Sequence, residues 1–484
     1  MKIPEKGMQK DDIIRILKDY KGDDLDWRSG KVLGYVYDPE EDANALIDEV
    51  YTMYLAENGL DPLTYPSLLR LENELVGMLA DLLGGDGETV GNFTTGGTES
   101  LILAVKTARD LARATRPDIK EPEMILPFTA HSSFYKAAHY LDVKPVVVSV
   151  DDHSCRADVN AMADAITPNT ILLVGSSPSY AHGVVDPIAE IGKLALEKNL
   201  PFHVDACVGG VHLSYMKKLG YNVPAFNFQV PGVTSLSVDL HKYGYAAKGA
   251  SLVLYKNKDI RKHQIFACSR WPGYTVINPT ITSSKTGGPL AAAWAVVNYI
   301  GNEGYMDIVK NVMEATKTAI DGINGIDGIS VLGEPDMCMF SFTSTSKKVS
   351  VYRLADEMKL KKGWFLQPQF ARLNSPANLH ISFNKSTVPK AEALVKDLEE
   401  TVKYLLKEKK DEKSMEMRAE LDKLSLKFDE ETFFKLAAIA GITGDTLPER
   451  MENINSLLEV LPYDVSEFVL IEYLNNLMVT GGEG

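Results

Sequence analysis

The chain has 484 residues, 45% hydrophobic and 24% charged, which suits a folded protein with one large sheet domain and at least one smaller domain. A formal net charge of -15 argues against nucleic acid as a partner, because a phosphate backbone calls for basic patches. Four scattered cysteines (Cys155, Cys207, Cys268 and Cys338) make no Cys-x-x-Cys pair, so no disulfide framework or zinc site is expected, and a reducing cytoplasm is the expected setting.

Met1 to Arg28 is polar and charged without an apolar centre, so no secretory signal is expected. Residues 1–65 read as a helical lead-in, with Ala43 to Leu55 amphipathic. Over 66–298, helical patterns alternate with short apolar runs: Met124–Phe128, Pro145–Val150, Thr170–Gly175, Pro201–Val204, Thr234–Val238 and Ser251–Tyr255. Strands alternating with helices imply an α/β domain, a mainly parallel sheet covered on both faces. The longest apolar stretch, Pro289 to Val297, is too short to span a bilayer. It lies in a helical pattern, Leu290 to Ile300, that leads into a smaller α+β domain over 299–410. That domain holds strands at Ile329–Leu332, Met339–Thr343 and Leu379–Phe383, and a helix at Ala391–Leu406. A helical extension over 411–484 closes the chain.

Chemistry gathers at the ends of these runs. Asp239-Leu240-His241-Lys242-Tyr243 follows the strand Thr234–Val238, and the carboxyl ends of strands are where open α/β sheets place their ligands. A lysine there can carry pyridoxal phosphate as a Schiff base, and Asp205, ending Phe202-His203-Val204-Asp205, can serve the cofactor's pyridinium nitrogen. Thr94-Thr95-Gly96-Gly97-Thr98-Glu99-Ser100 opens the helical stretch Leu101 to Arg113. Free N–H groups at a helix start suit a phosphate, although glycines serve any tight turn as well. His131 follows the run Met124–Phe128, where its ring can stack on a planar cofactor or simply fill a structural place.

Four stretches together resemble the group II decarboxylase superfamily of fold-type I (aminotransferase-like) pyridoxal-phosphate enzymes, and within it the sphingosine-1-phosphate lyase branch. These are Thr95 to Ser100, His203 to Gly210, His241 to Gly249 and Asn278-Pro279-Thr280. The second lysine and the tyrosine in His241-Lys242-Tyr243-Gly244-Tyr245-Ala246-Ala247-Lys248-Gly249 mark the lyase branch. The resemblance implies that Lys242 carries the cofactor, Asp205 faces its ring nitrogen and His131 stacks on it. It also implies that Gly97, Thr98 and His241 hold the phosphate. The loop Thr286-Gly287-Gly288 is expected to reach a neighbouring subunit's cofactor, which implies a homodimer with shared sites. Tyr180 and His182 are expected in the substrate pocket, with Asn58, and Tyr245 and Lys248 near the substrate's polar head or reacting hydroxyl. No metal is expected.

Two departures stand out. Asp61, in Asn58-Gly59-Leu60-Asp61-Pro62, occupies the place of a histidine that the family associates with substrate phosphate, and a carboxylate repels an anion. Lys285 replaces a frequent arginine, making a point contact instead of a bidentate one. The expected activity is carbon–carbon lysis of a phosphorylated amino alcohol to an aldehyde and an amine. An amino-acid decarboxylase shares every cofactor residue and needs a cationic clamp, which Arg372 could supply unless it is simply an exposed arginine. An aminotransferase or a non-catalytic scaffold are further rivals.

Overall fold

The computed structural model describes residues 2–61, 63–408 and 448–478. Seven strands build the larger sheet: β1 (Val90–Thr94), β2 (Glu123–Pro127), β3 (Lys144–Val148), β4 (Thr170–Ser176), β5 (Phe202–Asp205), β6 (Ser235–Asp239) and β7 (Ser251–Tyr255). They lie in the order β1-β7-β6-β5-β4-β2-β3. Neighbours from β6 to β3 are parallel, while β7 runs antiparallel to both β6 and β1. Two reversals restore direction, so β1 points the same way as β6. The carboxyl ends of β1, β2, β4, β5 and β6 therefore share one edge.

Period-two alternation sorts the strand side chains between two helical layers. Met124, Leu126 and Val174 pack with Leu101 and Val105 of the helix Gly97–Thr115. Ile125, Leu173, Val204 and Leu236 face the main core on the other side. Burial on both faces explains why these strands read as unbroken apolar runs.

A long helical stretch, Gly288–Asn324, leaves the large sheet and breaks at Gly301, whose φ of 62° and ψ of 178° lie outside helical space. It packs on a four-stranded antiparallel sheet ordered β10-β11-β13-β12, formed by β10 (Ile329–Val331), β11 (Met339–Ser344), β12 (Gln367–Gln369) and β13 (Asn378–Ser382). A small hairpin, β8 (Phe266–Cys268) with β9 (Val276–Asn278), stands apart from both sheets.

The N-terminal segment is helical only at Lys10–Lys21 and Glu41–Met53, apart from one short turn at Trp27–Ser29. Between them the chain is extended and is tied to the smaller sheet: Leu33 donates to Phe365 O (3.1 Å) and its own carbonyl accepts from Ser382 N (3.2 Å). This tether carries Tyr37 into the interior.

The end of the described chain docks as two helices, Glu452–Val460 and Tyr463–Leu477. Residues 409–447, most of the expected extension, lie outside the described residues. Both ends of the first docked helix are gripped in the sense its dipole favours. Asp356 accepts from Met451 N (3.0 Å) and Glu452 N (2.9 Å), and Arg372 donates to Leu458 O (3.1 Å) and Glu459 O (2.9 Å). Arg372 is thereby committed to helix carbonyls, which corrects its reading as a substrate clamp. No described helix is long and apolar enough to cross a membrane.

Candidate active site

The shared strand edge encloses a cavity of about 330 Å³, lined by Thr95 to Thr98, His131, Ser176, Tyr180, Asp205, Cys207, Asp239, His241 and Lys242. Each strand delivers its contribution at its last residue or in the loop that follows, which is why side chains distant in sequence meet here.

Lys242 Nζ lies 2.9 Å from Asp239 Oδ2, and the Asp239 side chain is only 2% exposed. Burial works to lower the lysine's pKa, but the adjacent carboxylate outweighs it and holds the ammonium above its usual range. Burial likewise opposes the charge on Asp239, and Lys242 and then His241 pull its pKa below the ordinary value. The other oxygen, Oδ1, is buried with no hydrogen-bond partner.

Asp205 is 8% exposed, and its Oδ1 accepts from Cys207 N (3.0 Å) and Ser237 Oγ (3.3 Å), which fixes the carboxylate at the end of β5. His131 is held by its Nδ1, which accepts from Ser133 N (3.2 Å) and therefore leaves the ring hydrogen on Nε2. Burial, only partly opposed by Asp205, lowers its pKa and keeps the ring neutral. Tyr180 stands edge-on to it at 6.4 Å, stacked at 4.3 Å on His380.

The turn before the helix Gly97–Thr115 is braced by Glu99, which accepts from Thr95 N (2.7 Å) and Thr95 Oγ1 (2.8 Å) with one oxygen and from Ile281 N (2.8 Å) with the other. Gly97 allows a close approach here. A β-carbon at this position would fall 2.8 Å from both Asp239 oxygens and 3.0 Å from Cys207 Sγ. His241 closes this side, its Nδ1 accepting from Ala250 N (3.2 Å) and its Nε2 lying 3.6 Å from Asp239.

Other expected site residues fall elsewhere. Lys248 stands beside the cavity, donating to Tyr35 O (2.6 Å) and His241 O (3.5 Å), with its amine 5.3 Å above the Tyr37 ring. Burial and then the nearby Lys242 draw its pKa down to about 8. Tyr245 is buried away from the cavity, and its hydroxyl accepts from Lys385 N (3.1 Å). His182 faces the smaller sheet's loop through Ser375 Oγ (2.9 Å), and burial lowers its pKa to about 4. Asn58 Oδ1 accepts from Leu60 N (3.0 Å) and Lys285 N (3.2 Å) in a bridge with the 284–286 loop. Asp61 caps its own turn by accepting from Leu63 N (2.8 Å) and Thr64 Oγ1 (3.0 Å). Thr286 donates to Leu55 O (2.9 Å) and Gly287 to Glu57 O (2.8 Å), so Thr286, Gly287 and Gly288 lie outside this chain's own cavity.

Sequence reasoning missed Tyr37, which sits close enough to Lys242 and Asp239 to feel both charges; burial raises its pKa to about 12. It edges onto Tyr243 at 4.9 Å. Only tertiary folding brings it there. Asp239 also went without a role, although its place three residues before Lys242 was a usable signal.

These residues fit pyridoxal phosphate. A half-buried amine can bond its aldehyde, a fixed carboxylate can meet its ring nitrogen, and a helix start at a glycine too crowded for a β-carbon can take its phosphate.

Comparison with known proteins agrees. The family model described as pyridoxal-dependent decarboxylase conserved domain matches residues 25–344, and one described as the C-terminal putative HTH domain of pyridoxal-dependent enzymes matches 413–476. A sphingosine-1-phosphate lyase of Dictyostelium discoideum is 39% identical over 83% of this chain and 74% of its own length. A probable L-aspartate decarboxylase of Pyrococcus furiosus is 35% identical over 75% of this chain and 94% of its own. The structure of a Burkholderia pseudomallei sphingosine-1-phosphate lyase superposes with a TM-score of 0.79 at 34% identity, covering 83% of this chain and 92% of that one. The chain belongs to the pyridoxal-phosphate-dependent decarboxylase family, in the company of its sphingosine-1-phosphate lyases.

Proposed function

We propose that this enzyme is an aldehyde-lyase that cleaves a phosphorylated 2-amino alcohol of the sphinganine-1-phosphate class into a long-chain aldehyde and ethanolamine phosphate. One observation carries the choice of lysis over decarboxylation: a second amine, Lys248, stands at the cavity edge on the carbonyl of His241, its pKa drawn down to about 8. Loss of CO₂ needs no base at the departing group. Lysis does, because the carbinol hydroxyl must lose its proton as its carbon leaves.

Bound pyridoxal phosphate supplies an electron sink for the pair left on the amine-bearing carbon. Asp205 keeps a proton on the ring nitrogen. Lys248 takes the proton from the carbinol oxygen, the carbon–carbon bond breaks, and the oxygen becomes the aldehyde carbonyl. Lys242 returns a proton to the amine-bearing carbon, which completes the balance. Tyr37, with a pKa of about 12, stays protonated and serves only as a donor. The neutral His131 ring restricts the cavity to a planar group.

The Pyrococcus relative keeps amino-acid decarboxylation as the rival activity. Its needed carboxylate clamp finds no support at Arg372, which is spent on helix carbonyls.

The quaternary state we read is a homodimer. Thr286–Gly288 is held firmly yet serves no purpose in its own cavity. Nearby, Phe266 (57% exposed), Tyr274 (61%) and Ile277 (61%) offer apolar surface suited to a second copy. Four free, widely spaced cysteines support a reducing, cytoplasmic setting.

A substrate panel tests the activity: sphinganine-1-phosphate, shorter phosphorylated amino alcohols, aspartate, glutamate and tyrosine, with aldehyde and CO₂ assayed separately. Aldehyde from the first compound supports the proposal, and CO₂ from an amino acid without aldehyde overturns it.

A further inference from the structure

Asp239 lies against the Gly97 turn on one side and Lys242 on the other, with Nζ to Oδ2 at 2.9 Å and a side chain 2% exposed. A carboxylate so deeply placed strongly favours a cation beside it. An amine must be neutral before its lone pair can attack an aldehyde, so this pair holds back the reaction that would bond the cofactor. We propose that Asp239 is a positioning residue for cofactor capture: it stores Lys242 as an ammonium in the cofactor-free protein, and capture proceeds by breaking this pair.

The step balances. One proton leaves the ammonium to solvent, and the freed nitrogen bonds the cofactor's aldehyde carbon. When the cofactor is bound, the two hydrogens left on the neutral amine would both pass to the aldehyde oxygen, which would leave as water as the carbon–nitrogen double bond forms. Asp239 is not left bare, because His241 offers a replacement. With Nδ1 accepting from Ala250 N, the ring hydrogen sits on Nε2, 3.6 Å from Oδ2.

The groups facing this pair do not cancel it. Burial lowers the Lys242 pKa, Asp239 raises it most among the charges, and Cys207 and Tyr37 act in the same direction as Asp239. Lys248, Asp205, His131 and Tyr180 also face the pair. The net effect favours the ammonium, so capture is slowest at low pH and accelerates as pH rises.

The inference rests on Lys242 being the residue that bonds the cofactor, and its test keeps the two apart. Cofactor-stripped full-length protein is mixed with pyridoxal phosphate, and the ~420 nm band is followed from about pH 6.5 to about pH 9. The wild-type capture rate is expected to rise by about tenfold per pH unit over much of this range, and Asp239→Glu should keep that slope. Asp239→Asn should, near neutral pH, capture at least tenfold faster than wild type. As a readout without cofactor, acylation of Lys242 near neutral pH, followed by mass spectrometry, should increase in Asp239→Asn. A flat wild-type profile overturns the inference even if the asparagine variant does not fold, as does an unchanged capture rate in that variant. Persistence of the band in Lys242→Ala would instead overturn the assignment of Lys242.

Discussion

Replacing Gly97 by alanine puts a methyl group where the cavity wall is tightest. The new carbon would lie 2.8 Å from both Asp239 oxygens and 3.0 Å from Cys207 Sγ, against an ordinary contact of ~3.5 Å, so Asp239 must retreat by ~0.7 Å. Once cofactor fills the cavity, overpacking of this size costs ~1–3 kcal/mol. Alanine's better helix propensity, at most ~1 kcal/mol in a helix interior and less in a first turn, offsets part of this. A net weakening of ~1–2 kcal/mol corresponds to about five- to thirtyfold lower cofactor affinity. Titration of stripped protein at ~420 nm measures it, with thermal unfolding of the empty form as the control for folding. Affinity within about twofold of wild type, with the fold intact, would refute the placement of the phosphate at this turn.

Arg372→Ala removes two charge-assisted bonds to the docked helix, each worth roughly 1.5–3 kcal/mol, and should lower the melting temperature by several degrees while leaving KM for substrate unchanged. A large rise in KM without destabilisation would restore the clamp reading. With Lys248 as base and its pKa near 8, the single-turnover rate of lysis should rise with pH through about 8, and Lys248→Met should abolish both the limb and turnover while keeping the ~420 nm band. A rate that falls over the same interval would make Lys248 a cationic binding group instead. Asp61→His gives up the acceptor of Leu63 N and Thr64 Oγ1, and is expected to tighten binding of a phosphorylated substrate by removing a repulsive charge. Unchanged KM for that substrate would separate Asp61 from phosphate recognition.

Strands buried on both faces, such as Met124–Phe128 and Ser251–Tyr255, read clearly because continuous apolar surface has no other way to hide. β1 escaped notice because Gly91 and Asn92 interrupt Val90–Thr94, and both residue types are poor in strands. β12 escaped because Gln367-Pro368-Gln369 is short and polar. In the site, His131, Asp205 and Lys242 could be foreseen because each ends or follows an apolar run, and Thr95–Thr98 because it opens a helical stretch. Tyr37 could not, because it arrives through a long-range tether, Leu33 to Phe365 and Ser382, that no local pattern announces. The orientation of Tyr245 was equally hidden: its φ of 60° and the bond from Lys385 N turn it inward, a tertiary outcome.

The most direct measurement of the proposed activity is the fate of labelled substrate in D₂O. Sphinganine-1-phosphate carrying ¹³C at the carbinol carbon is converted by the loaded enzyme, and the products are read by mass spectrometry. The account predicts that ¹³C appears only in the aldehyde and that ethanolamine phosphate gains one deuterium on the carbon that lost its neighbour, delivered by Lys242. Recovery of intact substrate, from enzyme that releases CO₂ from aspartate under the same conditions, would contradict it.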